Sequence, residues 1–152
     1  MEIKPYTEFQ IDECIAIFIS NQDKYFADHE LEEFKRYLRK ETLKDSYFCM
    51  YKDNQIIGCG GFSKEEEEVF LTWGMIRRDL HKQGYGKALT KFRMKAIREK
   101  YPNTAIIINT AQFTKGFYEK QGFKTKTFKE NGFGSGLDKY TMTAWEEANY
   151  ER

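Results

Sequence analysis

Proline occurs only twice, at Pro5 and Pro102, and neither lies in a Pro/Gly/Ser-rich tract, so the chain shows no linker and no domain boundary. Cysteine is scarce too. Cys14, Cys49 and Cys59 are odd in number and never spaced as CxxC, which argues against a disulfide framework or zinc knuckle and for three reduced core thiols. The two histidines, His29 and His81, stand in no HExxH-type setting, and no metal site is expected. The longest apolar run, Cys14 to Ile19, is far short of a membrane span. No apolar signal-peptide core follows the opening Met1-Glu-Ile-Lys4, so the expected location is the cytoplasm. Charge of one sign is missing as well: 25 Lys+Arg against 24 Asp+Glu leave a formal net charge of +1. Such a chain lacks the global field of a non-specific nucleic-acid binder, and the basic stretch Lys87 to Lys100 reads as a solvated helix face.

What is present is core-forming material. The 152 residues are 40% hydrophobic, with 13 Phe, 10 Tyr and 2 Trp, too aromatic for a disordered segment and long enough for one domain, here 1–152. Met1 to Pro5 reads as a short first strand. Thr7-x-x-Gln10 has capping-box spacing ahead of a helix carrying Ile11, Cys14, Ile15, Phe18 and Ile19 at helical period. Asp28 is the expected N-cap of a second helix with Leu31, Phe34 and Leu38 on one side. Two strands follow, Tyr47–Tyr51 and Ile56–Phe62, joined by an Asp53-Asn54 turn, then a charged turn and a strand from Val69 to Ile76. From Gly84 to Tyr101 the period is helical again, with Tyr85, Ala88, Leu89, Phe92 and Ala96 on the expected inner face. Ala105 to Ile108, wholly apolar and mostly β-branched, reads as a buried parallel strand, which makes a βαβ crossover. A short helix, Phe113 to Gln121, stops at Gly122. Two closing strands, Phe123–Phe128 and Lys139–Ala144, flank a Gly-rich connection, Asn131 to Gly136. The fold class is mixed α/β (α+β), with a mostly antiparallel sheet.

The segment His81-Lys-Gln-Gly84-Tyr-Gly86-Lys-Ala-Leu89 lies between strand and helix. Its glycines let the backbone turn tightly, and the helix start offers free amides and the positive end of its dipole. Together these suit a phosphate or pyrophosphate. A P-loop needs Gly-x4-Gly-Lys-[Ser/Thr], and a dinucleotide fingerprint needs a small residue where Leu89 stands; neither fits.

The segment resembles the pyrophosphate loop of the GNAT (GCN5-related N-acetyltransferase) family, [Arg/Gln]-x-x-Gly-x-[Gly/Ala], with His81 departing from its first position. Downstream, Phe117-Tyr118-Glu-Lys-Gln-Gly122-Phe123 resembles the family's Phe-Tyr-x-x-x-Gly-Phe signature, although the Asn usual seven residues before the Tyr is Ala111. Gly134-Ser-Gly-Leu-Asp138, then Met142, resembles the tail of small single-domain, bacterial-type members. The resemblance implies a GNAT fold with one parallel crossover, helices on both sheet faces and a gap between the strand ending at Ile76 and the parallel strand. It implies acetyl-CoA as cofactor. The cofactor-binding set is then Gly74, Met75 and Ile76 on the strand, with His81, Lys82, Gln83, Gly84, Tyr85, Gly86, Lys87 and Ala88 in the loop and helix start. Asn109, Thr110, Phe113 and Phe117 complete it.

It further implies direct attack of an amine on the thioester in a ternary complex, with Tyr118 as the acid that protonates the leaving thiolate. The other reading of Tyr118 is a structural aromatic. No general base is assigned: Val69 to Met75 carries no carboxylate, Glu65 to Glu68 reads as a solvated acidic turn, and Asp138 either serves or braces a turn. The acceptor, a small-molecule or peptide primary amine, is expected between Asn21–His29 and Glu130–Leu137, with Tyr25, Phe26, Trp73 and Phe133 lining the site or belonging to the core. Neither nucleic acid nor membrane is an expected partner, and the protein is a monomer or homodimer. The alternative is a non-catalytic use of the same fold, a CoA-responsive or partner-binding module.

Overall fold

The computed structural model describes residues 1–144. One seven-stranded sheet runs in the order β1-β2-β3-β4-β5-β7-β6. The strands are β1 (Glu2–Pro5), β2 (Ser46–Lys52), β3 (Gln55–Glu65), β4 (Glu68–Ile76), β5 (Ala105–Thr110), β6 (Phe123–Gly134) and β7 (Leu137–Ala144). Every neighbouring pair is antiparallel except β4–β5. The helices are α1 (Ile11–Tyr25), α2 (Glu30–Arg36), α3 (Tyr85–Lys100) and α4 (Gln112–Lys120). The mixed α/β class and the β4–α3–β5 crossover are as expected. No helix among the described residues is long and apolar enough to cross a membrane.

Alternation along the strands divides the core by sheet face. Cys59 and Met75 pack with Cys14, Phe18, Phe34 and Leu38 of the α1–α2 layer. Phe62, Val69 and Leu71 pack with Met94 and Ile97 of α3 and Tyr118 of α4. The Thr7–Gln10 box is formed, the Thr7 N–H donating to Gln10 Oε1 at 2.7 Å, though it opens a 3-10 turn (Glu8–Gln10) that runs into α1.

Four expectations are corrected. Ile19 is exposed, and Ile17 and Asn21 take the buried side of α1, because the helix rotates its stripe toward the end of β4. Asp28 does not cap α2: the Glu30 carboxylate, three residues on, accepts the Ala27 N–H at 2.8 Å while the Glu30 N–H donates to the Ala27 carbonyl. The buried stripe of α3 is Leu89, Thr90, Arg93, Met94 and Ile97, while Tyr85, Ala88, Phe92 and Ala96 stay only half-buried. Finally, most of Asn131 to Gly136 is strand rather than loop, since β6 continues to Gly134 and pairs there with Leu137.

Candidate active site

The site begins where two strands part. β4 and β5 pair at Glu68↔Ala105, Val69↔Ile106 and Phe70↔Ile107, and not beyond. From Leu71 to Ile76 the β5 side of β4 has no strand neighbour among the described residues, so a groove opens between the two C-terminal ends. A bulge sits on this free stretch: the register steps from Cys59↔Met75 to Gly61↔Thr72, so Trp73 and Gly74 together oppose Gly60. Trp73 has φ 42°, a left-handed conformation held from both sides. Its ring packs against Phe18, Phe34 and Tyr37, and its carbonyl accepts the Tyr47 hydroxyl at 2.7 Å. Burial pushes the Tyr47 phenol well above its ordinary pKa, which keeps that donor protonated.

The loop after β4 is strapped to α1. The Ile76 carbonyl accepts from Asn21 Nδ2 at 2.9 Å and pairs with His81 Nε2 at 2.8 Å; the Arg78 N–H donates to Ser20 Oγ, and Arg78 Nη1 reaches Asp23 at 2.6 Å. The His81 ring is thus folded back on Ile76 and lies edge-on to Tyr25, rather than directed outward from the loop. This also occupies the Ile76 carbonyl. Lys82 (φ 65°) and Gly84 (φ 89°) bracket Gln83 and turn the chain sharply into α3. Lys82, Gln83, Gly84 and Lys87 are exposed, Tyr85, Gly86 and Ala88 half-buried. The first turn of α3, with its unpaired amides, therefore faces the mouth of the groove.

The second motif meets the first here. A Cβ on Gly86 would stand 3.5 Å from the Phe117 ring and 3.9 Å from Ile76, ordinary contacts that place α4 directly against the start of α3. Tyr118 follows, 7% exposed, its ring edge-on to Phe117 and Phe123. Its hydroxyl makes no hydrogen bond among the described residues and is not one of their fully buried, unpartnered atoms.

Asn109, Thr110 and Gln112, the polar residues that flank Ala111, are all engaged locally. Asn109 Oδ1 accepts the Thr141 hydroxyl at 2.6 Å, and Thr110 bonds Thr114. Gln112 clamps the β6–β7 turn, donating to the Gly136 carbonyl and accepting the Asp138 N–H. Asp138 accepts the Asn131 N–H at 2.9 Å and so braces that turn. Glu68 is paired with Ala105 at the far end of β4, roughly 20 Å along the strand from Met75.

A cleft of about 890 Å³ opens between the α1–α2 connection and the β6–β7 turn. Gln22, Asp23, Lys24, Phe26, Asp28 and His29 line one wall, and Gly134 to Leu137 the other, with Phe113 and Ile19 at the rim. Both expected walls are there. Of the four aromatics only Phe26 lines the cleft; Trp73 packs against the core, Tyr25 meets Phe113 edge-on, and Phe133 lies under Lys139. Among the described residues no group of His, Cys, Asp and Glu is placed to hold a metal ion.

Comparison with known proteins agrees with this geometry. The Acetyltransferase (GNAT) domain family matches residues 16–144. The chain belongs to the GNAT family. Solved structures share the GNAT fold at low identity. A GNAT-family protein from Desulfovibrio desulfuricans is 15% identical with a TM-score of 0.80, over 95% of this chain and 98% of that one. Ribosomal-protein-alanine N-acetyltransferase from Brucella melitensis is 16% identical at 0.76, over 95% and 99%. A GNAT acetyltransferase from Elizabethkingia anophelis, solved with acetyl-CoA bound, is 19% identical at 0.73, over 95% and 97%. No curated protein matches the sequence.

Sequence reasoning missed two residues that shape this candidate site. Asn21 holds the end of β4, and Arg93 lies buried beneath its bulge. Arg93 was findable, since it repeats at i+4 between Leu89 and Ile97 on the stripe that must face the sheet.

Proposed function

We propose that this protein, as a single acetyltransferase domain over 1–152, transfers acetyl from acetyl-CoA to a primary amine of a small molecule or peptide. The observation that carries the reading is the parting of β4 and β5 beside the Trp73–Gly74 bulge, at the mouth of which Ile76, Gly86 and Phe117 come together. The amides from Gln83 to Lys87 cradle the pyrophosphate, the Ala88 N–H being already paired with the Gly84 carbonyl at 3.1 Å, and the helix dipole of α3 favours its charge. The pantetheine arm enters the groove along Gly74 and Met75, where a backbone amide polarises the thioester carbonyl. The amine waits in the 890 Å³ cleft and attacks directly. The nitrogen bonds the carbonyl carbon, the carbon–sulfur bond breaks with its electron pair on sulfur, the Tyr118 hydroxyl protonates that sulfur, and the proton given up by the amine restores the phenol.

The test is calorimetric titration of acetyl-CoA into wild type and Gly86→Glu. A Cβ at Gly86 makes only ordinary contacts, with Phe117 and Ile76, and a carboxylate carried on it crowds and charges the mouth of the groove. Saturable binding to wild type, lost in Gly86→Glu with an unchanged circular dichroism spectrum, supports the loop assignment; retained affinity in the folded variant sinks it. Free CoA release against a panel of amines then separates catalysis from a binding module. With an accepted amine, Tyr118→Phe lowers kcat by about 100-fold. An unchanged kcat removes the acid role.

A further inference from the structure

Arg93 stands in the middle of the apolar stripe of α3 and is 1% exposed. It does not extend its head group into water, as arginines on a surface helix do. The guanidinium instead fills the space that side chains at Gly60 and Gly74 would take. A Cβ on Gly74 would lie 2.6 Å from Nη2 and 2.8 Å from Nη1, and one on Gly60 3.2 Å from Cζ. The two glycines that face each other across the bulge thus make room for one buried cation.

That cation is poorly satisfied. A guanidinium carries five N–H donors. Among the described residues one is used, Nη1 to the Gly61 carbonyl at 3.3 Å, and Nε is buried with no partner. No carboxylate pairs with it among those residues. Burying a charge in this state is costly unless an anion comes to it. Gly74 lies on the stretch of β4 that β5 leaves unpaired, so the charge sits directly behind the wall of the groove.

We infer that Arg93 is the buried counter-charge for the CoA thiolate, acting across Gly74 as acetyl transfer releases it. The inference rests on the acetyl-CoA reading above. When the carbon–sulfur bond breaks, the sulfur keeps the electron pair and becomes the new anion along that wall. The proton given up by the attacking amine ends on the sulfur, so amine and acetyl-CoA yield amide and CoA. Arg93 favours this thiolate through its field rather than by taking part in the proton transfer.

Five other titratable groups surround the bulge. Tyr37, Tyr47 and Cys59 lie on the opposite sheet face, Tyr118 faces the α3 side from α4, and His81 bonds the Ile76 carbonyl. Their titration acts equally on a ligand without sulfur, which provides the control. The affinities of CoA and desulfo-CoA are measured for wild type, Arg93→Lys and Arg93→Met between about pH 6.5 and 9, across which an alkyl thiol of pKa about 8.5 ionises.

In wild type, CoA gains up to about tenfold over desulfo-CoA as pH rises, the effect of a thiol pKa lowered by about one unit. Arg93→Lys keeps most of this gain. Arg93→Met loses it while still binding desulfo-CoA, and Arg93→Gln replaces it if the methionine variant binds neither ligand. An equal gain in the neutral variant, or none in wild type, overturns the proposal. Failure of wild type to bind either ligand overturns the acetyl-CoA reading itself, a distinct result.

Discussion

The two glycines of the loop motif have different jobs, and substitution separates them. Gly84 has φ 89° with open space around its absent Cβ, so its constraint is conformational. Gly86 lies inside α3 with room for a methyl against Phe117, so its constraint is what approaches from outside. Gly84→Ala should therefore destabilise the fold by about 1 kcal/mol, while Gly86→Ala should stabilise it by about 0.5 kcal/mol. Thermal melts check both, the first as a fall in Tm of about 2–4 °C for a chain of this size. Gly74 is a third kind. A Cβ there meets the Arg93 guanidinium at 2.6 Å, so Gly74→Ala must displace either the bulge or the charge.

At the scale of the element, the start of α2 shows how a local device carries a pH signature. The Glu30 carboxylate caps the turn by accepting the Ala27 N–H, yet it is 7% exposed. Burial raises its pKa above the ordinary carboxylate value, outweighing that hydrogen bond. A raised folded-state pKa means that the folded protein binds this proton more tightly than the unfolded chain. The contribution to stability is complete below the unfolded pKa and declines as pH rises through the folded one. Glu30→Gln keeps an acceptor for Ala27 and removes the buried charge. The variant should be at least as stable as wild type at pH 7, with the difference vanishing below about pH 4. Urea unfolding at both pH values reads this; a wild-type advantage at pH 7 contradicts it.

At the scale of the molecule, the two faces of the sheet hold different chemistry. The α1–α2 face buries all three cysteines: Cys49 and Cys59 are register partners on β2 and β3, and Cys14 Sγ lies 3.7 Å from Cys49 Sγ. Hydrogen bonds with Cys49 and Cys59, and then burial, push the Cys14 thiol far above its usual pKa, which makes it a poor nucleophile. An aromatic disulfide reagent should find no fast-reacting thiol in the native protein and all three in denaturant. A rapid native reaction would contradict this packing. The α3–α4 face holds Tyr118 and Arg93, and the groove runs between the faces where β4 leaves β5.

Much of this was legible in the chain because it depends on local pattern. Period 2 gave way to period 3.6 at Gly84, and an apolar β-branched run marked β5 as the buried parallel strand. Two spaced motifs marked the groove mouth, and the connections before α2 and before β7 were placed as walls of the cleft. Other features required the packed molecule. Sequence periodicity does not say how far a helix rotates on its sheet, so it does not show that Ile19 faces solvent or that Tyr85, Ala88, Phe92 and Ala96 stay half-buried. Nor does a motif position say where a ring turns: His81 folds back on Ile76 because Asn21 and Ser20 draw the loop onto α1. The spacing of glycines and apolar residues by itself determined the element order, since that follows from backbone freedom and burial along the chain, and the resemblance of two motifs to the GNAT family added the groove. Only the tertiary structure decided that Gly60 and Gly74, distant in sequence, face each other across a bulge and leave room for a buried charge.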